Sequence, residues 1–300
     1  MTGFRTLILA ALIILISAPA PAQTDDAERL KMSALEALMS APPERALPIV
    51  SKVLSGDSSP ALKKRALFVL GQIDLPEART LLIETARSGD KNMRLEAIRM
   101  MGIGGNAEAL GALAEIYRAG DGDTREAVLE AYLIADDRNA VYQVAANAQD
   151  PGEFEKAVDI LGAMGATEEL RALRDRPGMA EVLIDAYAIA GDVETLTAMA
   201  SDSSDPRRQA QAIRGLAIAG SDDDVEIGDV LVGIYRSTQS PNIKEAVLEA
   251  LLIADRDEAV LELFRASTDA AEKRELLQTL VNMDSDAVWD LVDSTLENEQ

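Results

Sequence analysis

Residues 126–136, Glu126-Ala127-Val128-Leu129-Glu130-Ala131-Tyr132-Leu133-Ile134-Ala135-Asp136, return almost unchanged as residues 245–255, Glu245-Ala246-Val247-Leu248-Glu249-Ala250-Leu251-Leu252-Ile253-Ala254-Asp255. The residues ahead of them match as well, Ile116-Tyr117-Arg118 against Ile234-Tyr235-Arg236. Self-similarity at this range marks a repeat architecture, here a duplicated block of about four units. Within each copy the apolar positions fall three and four apart, the period of one buried helix face. Taking the bulky residue late in each such helix as an anchor gives Leu70, Met101, Tyr132, Leu161, Tyr187, Leu216, Leu251 and Leu280. Four residues earlier stand Ala66, Ala97, Val128, Ala157, Leu183, Ala212, Val247 and Leu276. Three residues earlier stand Leu67, Ile98, Leu129, Val158, Ile184, Ile213, Leu248 and Leu277. Between anchored helices lie others, such as residues 78–86, 110–117, 230–235 and 260–264. A helix pair of about 30 residues cannot bury such a face alone, so the pairs stack. The expected fold is all-α, an α-solenoid of about eight helix-turn-helix repeats.

Each anchored helix also has a signature at its ends. Asp90 precedes Arg94, Asp121 precedes Arg125, and Asp269 precedes Lys273, in each case by four residues. The helices finish on runs such as Leu70-Gly71-Gln72-Ile73-Asp74 and Leu161-Gly162-Ala163-Met164-Gly165. With these features the unit resembles the short bacterial HEAT-like repeat, the type first named from phycobilisome lyases, over roughly residues 45–290. The pairs read as structural. An Asp at a helix start caps free N–H groups, and a cation four residues on shares its face and pairs with that Asp or a neighbouring repeat's. Asp150 and Asp205 keep the acid alone, whereas Lys63 and Lys244 follow Ser59 and Ser240. The fifth unit, around Arg176–Tyr187, keeps neither.

Composition narrows the chemistry. The 300 residues hold 29 Lys and Arg against 52 Asp and Glu, a formal charge of −23, which opposes binding to nucleic acid or anionic lipid. With no Cys and no His, thiolate or imidazole metal sites, disulfides, and Cys–His or Ser–His–Asp catalysis are excluded. Neither Asp121-Gly122-Asp123 nor Asp222-Asp223-Asp224 reproduces a Ca²⁺ loop with alternating ligands and a closing bidentate Glu. No phosphate-binding glycine loop or Ser-x-x-Lys motif occurs. No catalytic residue, metal or cofactor is expected, and the chain reads as non-enzymatic.

The chain opens with Arg5, an apolar run over residues 6–17, and Ala20-Pro21-Ala22 before Gln23. About a dozen apolar residues are too few to span a bilayer, so residues 1–22 read as a cleaved signal peptide. The protein is then exported, periplasmic in a Gram-negative host, with no further run of membrane length. Residues 23–44 are expected to form a polar leader and a capping helix around 33–39. A continuous array should follow over 45–300, closed by a C-terminal helix over 287–296 in which Trp289 completes the core. An acidic insertion over 221–226 accompanies the longest anchor spacing.

One feature exceeds the needs of the fold. Positions six and two residues before the anchor face solvent. They are Glu126 and Glu130, Glu155 and Asp159, Glu181 and Asp185, and Glu245 and Glu249 in four of the units. Ala210 and Arg214 interrupt the series, and other units are mixed, with Lys64 and Phe68, Leu95 and Arg99, and Arg274 and Gln278. The HEAT-like resemblance implies that second helices line a concave surface, and hence an acidic groove. Acidic faces also serve solubility alone. The sharper expectation is a monomeric scaffold that docks a protein or peptide along the stripe, with charge favouring a basic one. A spacer role in the envelope and a lyase-like enzyme are the alternatives.

Overall fold

The computed structural model describes residues 21–220, 227–283, 288–289 and 291–293. The expected signal peptide, apart from its last two residues, lies outside the described residues. So do the acidic insertion over 221–226 and half of the expected C-terminal helix.

Two compact units divide the chain, residues 1–104 and residues 105–300. In the first unit α1 (Pro21–Ala37) runs into a 3₁₀ turn (Leu38–Ser40). It is followed by α2 (Pro43–Ser55), α3 (Pro60–Gly71), α4 (Pro76–Ser88) and α5 (Lys91–Gly104). The second unit holds α6 (Ala107–Ala119), α7 (Gly122–Ile134), α8 (Arg138–Asn147), α9 (Pro151–Ala163), α10 (Thr167–Ala172) and α11 (Ala180–Ala190). It continues with α12 (Val193–Ser201), α13 (Pro206–Ala219), α14 (Gly228–Ser237), α15 (Pro241–Ile253), α16 (Asp257–Ala266) and α17 (Ala270–Met283). No strand occurs among the described residues. The fold is all-α, and from α2 onward it is a solenoid of paired helices.

Local sequence sets these boundaries. Pro43, Pro60, Pro76, Pro151, Pro206 and Pro241 each stand in the first turn of a helix, where the missing N–H costs nothing and the fixed φ suits the helix. Four of the anchored helices, α7, α9, α11 and α15, end in the same closure. The carbonyls of Tyr132, Leu161, Tyr187 and Leu251 accept N–H bonds, all at 2.9 Å, from Asp137, Ala166, Asp192 and Arg256. That six-residue closure needs a left-handed residue four positions after the anchor, filled by Asp136, Gly165, Gly191 and Asp255.

The three anchored positions supply most of the core. Of their twenty-four residues, all but the half-buried Leu277 are buried. Complete burial of each Leu or Ile contributes about 1.5–3 kcal/mol. In the second unit, successive anchored helices α9, α11, α13 and α15 pack directly on one another, more closely than the first helices α8, α10, α12, α14 and α16 do. Gly162 permits this at α9, because a Cβ there would lie 3.2 Å from the Ala186 carbonyl oxygen of α11.

Two expectations are corrected at the ends. The helix placed around residues 33–39 begins at Pro21, because the run to Ala37 holds neither glycine nor a further proline and is rich in helix formers. Leu35 is its buried contact and the helix packs on α3, with Glu36 bonded to Arg65 at 2.9 Å. Trp289 does not complete the core: it is 48% exposed, whereas its neighbour Val288 is fully buried. Successive helix positions point about 100° apart, so Val288 takes the inward place.

Candidate functional site

The acid of each repeated pair begins a helix and caps it. Asp90 accepts the Met93 N–H at 3.1 Å, and Asp121 accepts the Thr124 N–H at 3.0 Å and its hydroxyl at 2.6 Å. Asp269 accepts the N–H groups of Ala271 and Glu272 at 2.9 and 2.8 Å. Asp150, Asp205 and Ser59 do the same for α9, α13 and α3. Each such cap stabilises its helix by about 1 kcal/mol. Arg94 lies one turn into α5, its N–H bonded to the Asp90 carbonyl at 2.8 Å.

The cations reach beyond their own helix. Arg125 sits over the ring of Tyr117 at 5.6 Å and pairs with Glu153, in the first turn of α9, at 3.8 Å. Tyr117 donates its hydroxyl to the same Glu153 carboxylate at 2.8 Å. The duplicated block repeats the arrangement: Lys244 lies 4.6 Å from the Tyr235 ring and pairs with Glu272 of α17 at 2.6 Å. Hydrogen bonds from Lys244 and the Ser267 hydroxyl hold the Glu272 carboxyl below its ordinary value. Lys273 covers Phe264 in the same way at 5.2 Å. These aromatic, cation and carboxylate clamps join the first helix of one pair to the second helix of its own pair and of the next. Sequence reading missed them because the partners are 28 to 36 residues apart.

The fifth pair is built differently. Arg176 stands where other units place a capping Asp, and Pro177 follows it as Pro151 and Pro206 follow theirs; α10 has six residues and a loop follows it. Arg176, on that loop, lies 4.5 Å from the Phe154 ring and donates to the carbonyls of Ala145, Ala146 and Ala148 at the end of α8. Arg171 binds Asp192 in bidentate fashion at 2.7 and 2.5 Å and also Glu194 at 2.9 Å. Asp192 has 1% of its side chain exposed, caps α12 through Thr195 and accepts that hydroxyl at 2.8 Å. Burial would raise the Asp192 carboxyl, but hydrogen bonds from Arg171 and Thr195 hold it below the ordinary aspartate value. Beside this pair the shortened helix leaves a cavity of about 530 Å³, lined by Arg171, Arg174, Tyr187, Glu194 and Met199 among others. Its wall mixes both charges with apolar surface and selects no single class of ligand.

All eight residues of the acidic series are exposed: Glu126 and Glu130 on α7, Glu155 and Asp159 on α9, Glu181 and Asp185 on α11, and Glu245 and Glu249 on α15. Contacts across these helices show the series in lateral register. Lys156 of α9 is 3.9 Å from Glu126, and Gln211 of α13 donates to the Glu181 carbonyl and to Asp185 at 3.0 and 2.8 Å. Arg214, the interruption on α13, pairs with Glu249 at 3.0 Å. Asp159 is raised from its ordinary value by partial burial, then by the charges of Glu155 and Asp185. Negative charge is therefore crowded over α9 and α11. Among the described residues no group of three or more acids is placed to hold a metal ion, and the Asp121 carboxylate is engaged in capping α7.

Stacked helix pairs, closed by one repeated turn and held by interhelical clamps, define a helical-repeat scaffold. The family model for HEAT repeats matches residues 47–133, so the repeats over that stretch are HEAT repeats. Among solved structures, the complex of CpcE and CpcF of phycocyanin lyase from Nostoc sp. PCC7120 aligns with 78% of this chain and 92% of its own, at 18% identity and a TM-score of 0.33. A chain from the computational design of self-assembling cyclic homooligomers aligns with 90% of this chain and 99% of its own, at 14% identity and a TM-score of 0.15. No curated protein matches the chain. No helix among the described residues is long and apolar enough to cross a membrane.

Proposed function

We propose that the protein is a non-enzymatic docking scaffold, exported through the segment at residues 1–22 and acting as a monomer in the periplasm. It would hold a basic segment of a protein or peptide against the acidic series of its second helices. The observation that carries this reading is registration: α7, α9 and α11 each expose a carboxylate pair at the same two positions, and α15 repeats them. Closer packing among α9, α11, α13 and α15 than among the first helices also favours them as the inner layer of a curved stack. A matched potential over such a surface steers a cationic partner and adds salt dependence to its binding. Absence of His and Cys supports a binding role over a catalytic one.

The test is capture of envelope and periplasmic proteins on residues 23–300 at low and high salt. It is repeated with a variant carrying Lys at all eight acidic positions, and with Glu126→Lys/Glu130→Lys alone. A discrete partner, lost at high salt and by reversal of the series with helicity unchanged, is the expected result. A partner whose binding survives the full reversal would overturn the acidic groove.

A further inference from the structure

Eleven large apolar side chains are exposed among the described residues, and five of them occupy a single repeat position, two residues after the anchor. These are Ile103 on α5 and, in the second unit, Ile134, Ile189, Ile218 and Ile253, the last four being 47–57% exposed. Singly exposed Leu or Ile residues are ordinary, but the same residue at the same position on successive helices forms a patch. Ile134, Ile189 and Ile253 stand four residues beyond Glu130, Asp185 and Glu249, so each lies on the same side of its helix as the acids, one turn nearer the C-terminus. The lateral register that brings Gln211 to Asp185 and Arg214 to Glu249 sets the isoleucines of α11, α13 and α15 side by side. The second-helix surface thus has two parallel rows, one of carboxylates interrupted by Arg214 on α13 and one of aliphatic side chains.

From these rows we infer that the second unit docks an amphipathic α-helix of a partner protein, laid across α11, α13 and α15. Its apolar stripe would cover Ile189, Ile218 and Ile253, and its Lys or Arg edge would face the carboxylates. The inference rests on the docking reading above and specifies its partner. Spacing favours a helix over a strand. Packed helices lie about 8–10 Å apart, and seven residues of an α-helix advance about 10.5 Å, returning a side chain to the same face at each isoleucine. A strand advances about 3.3 Å per residue, so its same-face side chains recur near 6.6 and 13 Å and fall out of step with the row. Charge complementarity gives the partner its polarity, since a neutral or acidic edge would meet Asp185 and Glu249 unfavourably.

The probe is a fluorescent helical peptide of about three heptads, with Leu on one stripe and Lys along one flank, beside a scrambled peptide of the same composition. Binding to the full chain is measured by anisotropy at low and high salt, with helicity and sedimentation of each variant as controls. The patterned peptide should bind at least tenfold more tightly than the scrambled one. That advantage should disappear in Ile189→Ser/Ile218→Ser/Ile253→Ser, while the weak salt-dependent binding of the scrambled peptide persists. Equal binding of both peptides, lost only on reversal of the acids, would overturn the helix inference and leave the acidic groove standing. If neither peptide binds, both readings fail. A chain that self-associates through this face, and becomes monomeric in the triple variant, would show that a second copy covers the row and overturn the inference.

Discussion

The third and seventh helix pairs hold the same clamp in nearly the same sequence, whereas the fifth pair lacks the sequence and is held by another device. In the duplicated pairs a buried aromatic ring, a cation and a carboxylate one helix pair further along meet. In the fifth pair the first helix is cut to six residues. There the equivalent connection is a bidentate pair between Arg171 and the buried Asp192, with Arg176 reaching back to α8 and Phe154. A stack depends on each neighbour interface in turn. The comparison shows that one interface can be held by entirely different residues, provided a cation bridges the helix ends.

The fifth pair should be the more fragile to a single change. Asp192→Ala removes a buried acid, the α12 cap and both bonds to Arg171, and should destabilise the second unit by about 2–3 kcal/mol in urea unfolding at pH 7. Because the folded Asp192 carboxyl is held below its ordinary 3.8, its contribution is complete above that value and is lost as the pH falls through the lower folded value. The gap between wild type and Asp192→Ala should therefore stay constant from pH 7 to about pH 5 and close in strong acid. A gap unchanged in strong acid would show that packing, rather than charge, makes the fifth pair different.

Within the duplicated pairs the clamps differ in geometry. Lys244 and Glu272 meet at 2.6 Å with less than a third of either side chain exposed, whereas Arg125 and Glu153 are 3.8 Å apart and Arg125 is nearly half exposed. Lys244→Ala should cost about 1–1.5 kcal/mol, the sum of a partly buried ion pair and its contact with the Tyr235 ring. Arg125→Ala should cost about 0.5 kcal/mol, since Tyr117 still donates to Glu153. Equal costs in thermal unfolding would mean that the duplication preserved the energetics of the clamp and not only its residues.

These differences explain what could be read from the sequence. Three apolar positions per repeat gave the pairing, the repeat count and almost the whole core, because burial on a helix face follows the 3.6-residue period directly. The Asp caps were legible for a similar reason, since they act within three residues. Arg171 with Asp192, and Tyr117 with Glu153, join residues from separate helices and leave no local signal. The missing Asp and cation around Arg176–Tyr187 did mark the fifth pair as different, but not the cavity behind it. Acidic positions were recognisable as outward-facing, whereas Ile189, Ile218 and Ile253 look like core residues in a sequence already rich in them. Trp289 misled for the converse reason: size suggested burial, and the neighbouring Val288 took the place.

The smallest effect concerns the acidic series itself. Asp159 is raised above its ordinary 3.8 by partial burial and by the neighbouring Glu155 and Asp185, so the folded state disfavours its charge. A raised folded value means that its contribution is most favourable below 3.8 and is lost as the pH rises through the folded value, the reverse of Asp192. Asp159→Asn should therefore stabilise the chain at pH 7 by a few tenths of a kcal/mol, comparable to relieving one like-charge pair, and the gain should vanish below about pH 3.8. Thermal unfolding of the two proteins at pH 7 and in acid checks this, and a loss of stability at pH 7 would show that the carboxylate is favourably placed in the free chain. The sign also bears on function. A surface that is repulsive when empty becomes favourable once a cationic segment lies on it; the inferred helix covers α11, α13 and α15, so the patterned peptide should raise the melting temperatures of wild type and Asp159→Asn about equally. A larger gain in wild type would show that the partner's basic edge runs past α11 onto α9.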